Sequence, residues 1–410
     1  MLQQVLAPAA GTQASGNTVH VVGAGPVGLL VAALLQSGGR HRVHLYEKRS
    51  EYTRTRMVQL APYIVADSVE SYSADMVDGD SVSAIFDPAE LQEGLAFRQS
   101  MPADLMTHLR RWARGFCPLN DIERSLSELI DTRDGPGVMR TAASVTIDYM
   151  AEVAKPGDMI VDCTGARSLF RPHLMPAAED DDANTYTLRL EYALVVTFLY
   201  GQPYECNEFC KYYKNIENPY YKFIPAVNRT YTDGHTTHVT GIVSIPDADY
   251  DRMPSRFDGQ WLRSNFPDVA HSMDRFIAKV QRETSGEIIG DLEIIRIPLN
   301  LYHARNTTSR ALRRSGNGSP FANTPVFLAG DSAMGSPYFQ SISLGFENAM
   351  FLASLVQQGL GREEMEDRYE LYTYKQWLRV YMRSRLIKHN KDLFERVGDN
   401  FALLEKLHIY

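Results

Sequence analysis

The apolar positions of the chain first fall into a strand rhythm, then a helical one, then a strand again. Val19-His20-Val21-Val22 is a short β-branched run, interrupted by Gly23-Ala24-Gly25-Pro26-Val27-Gly28. Leu29 to Gln36 then supplies leucines, valine and alanines suited to a helix packed on a sheet. Gly38-Gly39 stops that helix, and Arg42-Val43-His44-Leu45-Tyr46-Glu47 forms the next strand. The three pieces predict a complete βαβ unit, and its crossover requires a parallel sheet.

Further along, residues 50–150 are mixed, with a helix expected over Asp121–Asp131. Asp158–Asp162 reads as another buried strand, running into Cys163-Thr164-Gly165-Ala166. Between 183 and 300 the character changes. Tyr186–Tyr200, Thr236–Pro246 and Asp291–Leu299 are rich in β-branched and aromatic residues and predict a mostly antiparallel sheet. Thr324–Ala329 returns to the parallel-strand style, Gly345–Gln358 reads as a helix, and an amphipathic helical stretch follows from about Glu363 to Val397. The Arg and Lys of that last stretch are expected to form its solvated face.

The layout is α/β: a Rossmann-like nucleotide-binding sheet interrupted by a β-rich insertion and closed by C-terminal helices. The expected divisions are a lead-in without period over 1–17, a first domain of 18–176 plus 290–360, an inserted domain of 177–289, and a helical segment of 361–410.

Composition narrows the function classes. With 410 residues there is ample chain for a large core, and a net charge of −8 argues against a nucleic-acid partner. No apolar run reaches the ~18–20 residues of a membrane span. The first residues lack a cationic start followed by an apolar block, so no secretory signal is expected there. Four cysteines are too few for a disulfide scaffold, and a cytoplasmic setting is expected.

Three motifs carry chemistry. In Gly23-x-Gly25-x-x-Gly28 the glycines permit a tight turn and close backbone approach, and the helix start at Pro26 and Val27 faces a pyrophosphate. Glu47, at the end of the following strand, is placed to hold ribose hydroxyls, which favours FAD or NAD over NADP; the motif does not separate those two. The second motif is Leu328-Ala329-Gly330-Asp331-Ser332-Ala333, followed by Pro337 and Gly345-Phe346-Glu347-Asn348. Asp331 can accept hydrogen bonds from a polyol such as ribityl, or it can simply cap a helix. The third, Asp162-Cys163-Thr164-Gly165-Ala166-Arg167-Ser168-x-x-Arg171, lies at a strand mouth, where a turn with a solvated Arg171 is the plainer reading.

Weaker signals complete the inventory. Cys206-x-x-x-Cys210 has a metal-site spacing but no supporting His or second Cys pair, so no metal is expected. Tyr213, Tyr221 and Phe223, in an aromatic-rich stretch of the insertion, and Phe339 are candidate walls of a substrate pocket. Tyr302 and His303 are the candidates for a catalytic role; for His303 a structural histidine is the competing reading. His41 is expected to be a solvated loop residue.

The three motifs in this order resemble the FAD-dependent monooxygenases of the para-hydroxybenzoate hydroxylase type. That likeness implies a GR2-type FAD-binding domain with an inserted substrate domain. It also implies non-covalent FAD, NADH or NADPH as a transient reductant, O₂ as co-substrate, and oxygenation of a small aromatic or natural-product substrate through a flavin hydroperoxide. Glu47-Lys48-Arg49 and Arg54-Thr55-Arg56-Met57-Val58 look locally like the MICAL monooxygenase domain, which implies that Lys48 and Arg54 or Arg56 contact FAD. Arg124 looks like that family's helix arginine beside the flavin. Thr164 and Gly165, and Ser343, Leu344 and Gly345 with Gly330, Asp331 and Pro337, complete the implied FAD contacts.

Departures from the pattern are Thr164, where that family has Asp, and the loop Phe339–Leu344, which lacks its usual glycines. Flavin-dependent halogenases share the fold but need an active-site Lys and a Trp-x-Trp signature. No Lys lies between Lys48 and Lys155, and Trp112, Trp261 and Trp377 are isolated, so halogenation is disfavoured. The rival readings are a flavin oxidase or dehydrogenase on the same fold, and a binding protein akin to the Rab GDP-dissociation inhibitors.

Overall fold

The computed structural model describes residues 17–54, 57–74, 85–133, 137–175, 184–203, 223–230, 234–315, 319–336 and 341–406. The chain opens with β1 (Thr18–Val22), α1 (Pro26–Gly38), β2 (Arg42–Glu47), α2 (Ala103–Arg114) and α3 (Leu119–Thr132). Next come β3 (Val138–Ala142), α4 (Ile147–Val153), β4 (Met159–Asp162), β5 (Thr185–Tyr200), β6 (Phe223–Thr230) and β7 (Thr237–Ile245). It continues through β8 (Arg256–Asp258), α5 (Pro267–Thr284), β9 (Ile288–Ala304), β10 (Val326–Leu328) and β11 (Met334–Gly335), and ends in α6 (Ser341–Gln358) and α7 (Arg362–Lys406). Two compact units result: Met1–Leu188 with Leu301–Met382, and Arg189–Asn300 with Arg383–Tyr410.

In the first unit a five-stranded parallel sheet runs in the order β10-β4-β1-β2-β3. Side-chain alternation along each strand sends Val19, Val21, Val43 and Leu45 into one core with α1 and α6. Val22 and Tyr46 join Ile160, Phe170 and Leu328 on the opposite face, covered by Met150 of α4. That second face also carries polar groups. His20 Nδ1 and His44 Nδ1 each lie 2.9 Å from the Tyr46 hydroxyl. His44 Nε2 reaches the Thr141 hydroxyl at 2.7 Å, and His20 Nε2 faces Asp158 at 3.3 Å. Burial lowers the pKa of both histidines.

The second unit is built on antiparallel strands, with β7 paired to β5 and to β6. Leu194, Val196 and Phe198 of β5 pack with Met273 and Ile277 of α5, which explains the dense apolar alternation of the Tyr186–Tyr200 run. The strands expected over Thr236–Pro246 and Asp291–Leu299 are β7 and the middle of β9.

Two expectations change. The helix expected to begin at Gly345 begins at Ser341, because Gly345 sits inside it, where a Cβ would lie only 2.5 Å from Val27. The cations of the last helix are not all solvated. Arg379 of α7 is buried and donates to Glu347 Oε1 and to the Tyr72 hydroxyl at 2.8 and 2.7 Å. Tyr72 in turn donates to Glu347, and Gln376 Nε2 adds a bond to Glu347 Oε2 at 2.8 Å. Burial of Glu347 by itself would raise its pKa, but the guanidinium holds its carboxyl well below the usual range.

Candidate functional site

The glycine loop joins β1 to α1. Gly23 adopts φ +99°, and a Cβ there would stand 2.7 Å from the Cys163 carbonyl oxygen; a Cβ at Gly28 would run into the Gly23 carbonyl. The helix start is therefore pressed against the strand ends. Gly25 is the helix cap, with no side-chain hydrogen bond, and the first turn contains no acid, so the free N–H groups of α1 are left for an anion. The Arg54 guanidinium stands beside that start, 3.3 Å from where a Gly25 Cβ would be. It pairs with Glu123, whose side chain is 1% exposed and whose Oε2 has no partner among the described residues. Burial raises the Glu123 pKa even though Arg54 opposes the shift. Glu47 accepts the Ala24 and Arg49 amides at 2.8 and 2.9 Å, one on each oxygen, which places it against the loop.

The middle motif is organised by Asp162, which is fully buried. Its carboxylate accepts from the Thr164 and Phe170 amides at 2.8 and 3.0 Å and from the Thr164 and Ser168 hydroxyls at 2.6 Å. Ser332 of the late motif lies 3.3 Å from the same carboxylate and accepts the Gly165 amide at 3.0 Å. Arg171 is not simply solvated: it donates to the carbonyls of Ala166 and Ser332 at 2.5 and 3.1 Å, and its guanidinium lies over the Tyr302 ring. Val27 packs against Gly330, 3.0 Å from its would-be Cβ, as well as against Gly345, so the first and late motifs interlock. Ser343 accepts the Ala61 amide at 2.8 Å, joining the segment after Arg54 to α6.

Tyr302 and His303 end β9 and pair with Gly335 and Met334 of β11, just beyond the late motif. The Tyr302 hydroxyl donates to the Asp331 carbonyl at 2.6 Å, and burial pushes its pKa up to about 12. His303, 6% exposed, borders a cavity of about 490 Å³ with Tyr186, Thr187, Leu188, Tyr374 and Trp377. Burial lowers its pKa to about 4, so it is uncharged at neutral pH.

The structure thus gathers Gly23, Gly25, Pro26, Val27, Gly28, Glu47 and Arg54 around the start of α1, and links Thr164, Gly165, Gly330 and Gly345 through Asp162, Ser332 and Val27, while the Asp331 carbonyl is tied to Tyr302. Ser343 and Leu344 are buried in α6, and Lys48 is exposed. Arg124 pairs with Asp121 at 3.4 Å on its own helix and is 55% exposed. It is the neighbouring Glu123 that turns inward. Arg56, Pro337, Phe339, Tyr213, Tyr221, Cys206 and Cys210 lie outside the described residues, as does the side chain of Phe223.

Glu123 was not singled out by sequence reasoning, Asp162 was quoted only as the start of the third motif, and Trp377 was read as isolated. Glu123 had a legible signal: it shares the helical face of Leu119, Ile122, Leu126 and Ile130, where a carboxylate is out of place. Trp377 lies between Tyr374 and Tyr381 at helical spacing, with ring centroids 6.1 and 5.9 Å away. Among the described residues no group of His, Cys, Asp or Glu could hold a metal, and no helix is long and apolar enough to cross a membrane.

Residues 21–56 match the family described as NAD(P)-binding Rossmann-like domain. No curated protein matches the chain. Among solved structures, the tetracycline destructase Tet(51) is similar at 12% identity and a TM-score of 0.48, covering 94% of this chain and 97% of its own. CabE, an aromatic hydroxylase from angucycline biosynthesis, shows 16% identity and a TM-score of 0.44 over 96% of this chain and 72% of its own. CmlS, a flavin-dependent halogenase, shows 12% identity and 0.48 over 90% and 63%. Similarities this distant assign no chemistry. The matched segment and the parallel βαβ topology agree on a Rossmann-like fold at the N-terminal end of the chain.

Proposed function

We propose that the chain is an FAD-dependent monooxygenase that uses NADH or NADPH and O₂ to oxygenate a small aromatic molecule. The observation that carries the reading is the bare start of α1, with Arg54 beside it and Glu47 at the next strand end. A diphosphate fits there: amides and a guanidinium meet its charge, and the glycines leave no side chain in its way. Glu47 would exchange an amide partner for ribose hydroxyls. Gly165, with φ +91° and open space where its Cβ would be, leaves room along the same edge. Thr164, where the resembled family has Asp, caps Asp162 and so maintains the shape of the loop.

FAD, when bound, would supply hydride acceptance and oxygen activation. The chain's own residues would bind, orient and exclude water. Arg54 and the α1 amides would hold the diphosphate. Tyr302, bonded to the Asp331 carbonyl, would hold the late loop in place. His303, uncharged in the adjoining cavity, would orient the substrate.

The test is a visible spectrum of the purified protein after incubation with FAD, then anaerobic addition of each nicotinamide. Oxidised-flavin bands that bleach with NADH or NADPH and return in air support the reading. Bands indifferent to both nicotinamides point to an oxidase or dehydrogenase reduced by its own substrate. Protein that takes up no FAD overturns the reading and leaves a binding protein.

A further inference from the structure

We propose that a diphosphate settling at the start of α1 draws the Arg54 guanidinium off Glu123, and that Glu123 takes up one proton from solvent as it does so. This rests on the reading of that helix start as a diphosphate site, and it couples occupancy of the site to pH.

A single nitrogen stands between the two negative groups. Arg54 Nη2, the atom that pairs with Glu123, also lies 3.3 Å from where a Gly25 Cβ would be. A diphosphate on the free N–H groups of α1 therefore competes with the Glu123 carboxylate for that nitrogen. The guanidinium is the partner that moves. Its side chain is 41% exposed, whereas that of Glu123 is 1% exposed. Ile122 and Leu126, close to Glu123 on α3, are buried in the core that α1 shares, so the carboxylate cannot follow.

Once the guanidinium turns, little is left to hold a negative charge on Glu123. Its Oε2 has no partner among the described residues, and neither has Oδ1 of Asn120, three positions earlier on the same helix. Buried acceptors without donors are costly, and a protonated carboxyl becomes a donor. The neighbouring helix α1 carries no charged or titratable side chain. The groups of that kind facing Glu123 from other segments, besides Arg54, are Arg49, Glu47 and Tyr52. Arg49 favours the carboxylate and Glu47 disfavours it, and burial already outweighs both arginines with the pair intact. A dianion beside the pair and a weaker Arg54 contact both act in the same direction as burial. The proton forms one O–H bond on Glu123, and no other covalent bond changes.

Calorimetric titration of the cofactor-free full chain with FAD and with ADP-ribose, each in two buffers of different ionisation enthalpy, counts the protons taken up. A diphosphate diester keeps its charges across the neutral range, so any uptake belongs to the protein. About one proton per bound ligand is expected near neutral pH, with affinity falling by as much as about tenfold for each further pH unit. Glu123→Gln should take up none and keep a flat pH profile, meeting the native affinity at acid pH. Arg54→Ala should also take up none, because its Glu123 is already protonated in the free protein, and should bind more weakly at every pH. A linked proton that persists in either variant, or ligand bound by the native protein without one, overturns the inference and leaves the diphosphate reading standing. ADP-ribose bound with its proton by a protein that takes up no FAD sinks the flavin reading alone. Failure to bind either ligand sinks both.

Discussion

At the residue scale, Gly23 and Gly28 occupy a contact that leaves no space for a methyl group. Gly28→Ala would drive its Cβ into the Gly23 carbonyl, so a loss of about 1–3 kcal/mol of stability and of FAD retention is expected, read from thermal melts and the flavin-to-protein absorbance ratio. Arg54 is the other decisive residue. Charge-assisted hydrogen bonds are worth about 1.5–3 kcal/mol, so Arg54→Ala should weaken FAD binding about ten- to hundredfold in a flavin titration. Glu123→Gln should do no such harm, since Arg54 would then be free to turn wholly to the diphosphate. If both variants bind FAD like the native protein, Arg54 is not a diphosphate ligand.

At the element scale, α6 and α7 are joined by a buried ion pair rather than by apolar packing alone. Glu347 and Arg379 are 1% and 6% exposed, and Tyr72 and Gln376 complete the bonding around the carboxylate. Removing one charge leaves the other buried and uncompensated, which costs about 3–5 kcal/mol. Glu347→Gln should therefore lower stability by about that amount in chemical denaturation. The Glu347→Leu/Arg379→Leu double variant should lose less than Glu347→Leu alone, because no lone charge remains. A double variant at least as unstable as that single one would show that the pair contributes more than mutual neutralisation. The same pair explains why the last helix misleads a sequence reading: a buried arginine and a solvated one look alike until the partner carboxylate, on another helix, is known.

At the scale of the whole molecule, buried histidines set the response to acid. His20, His44 and His303 all have pKa values lowered from the ordinary 6.5, to about 4 for His303, with burial the largest cause in each. The folded protein therefore binds fewer protons than the unfolded chain at mildly acid pH. The stability from these groups is fully present above pH 6.5 and is lost as pH falls through the folded values. His303 alone accounts for up to roughly 3 kcal/mol of that loss. Melting temperatures followed downward from neutral pH should fall across this window, and His303→Leu should flatten part of the slope. An unchanged slope in that variant would mean that His303 already carries its proton in the native state.

Much of the architecture was legible in the chain. The period-two and period-3.6 runs around Gly23–Gly28 determine β1, α1 and β2, because each element buries a face whose spacing is written locally. Alternation likewise marked β5 and β7, and the glycines of the first motif announced the close contact at the start of α1. What only the tertiary structure decided is which polar residues turn inward and whom they meet. Asp162 gathers hydroxyls and amides from two loop segments, Glu123 meets Arg54 across 69 positions, and His303 meets Trp377 from another element. A polar side chain can be buried only where partners satisfy it or a ligand completes it. Those partners lie far away in sequence, so no local pattern names them.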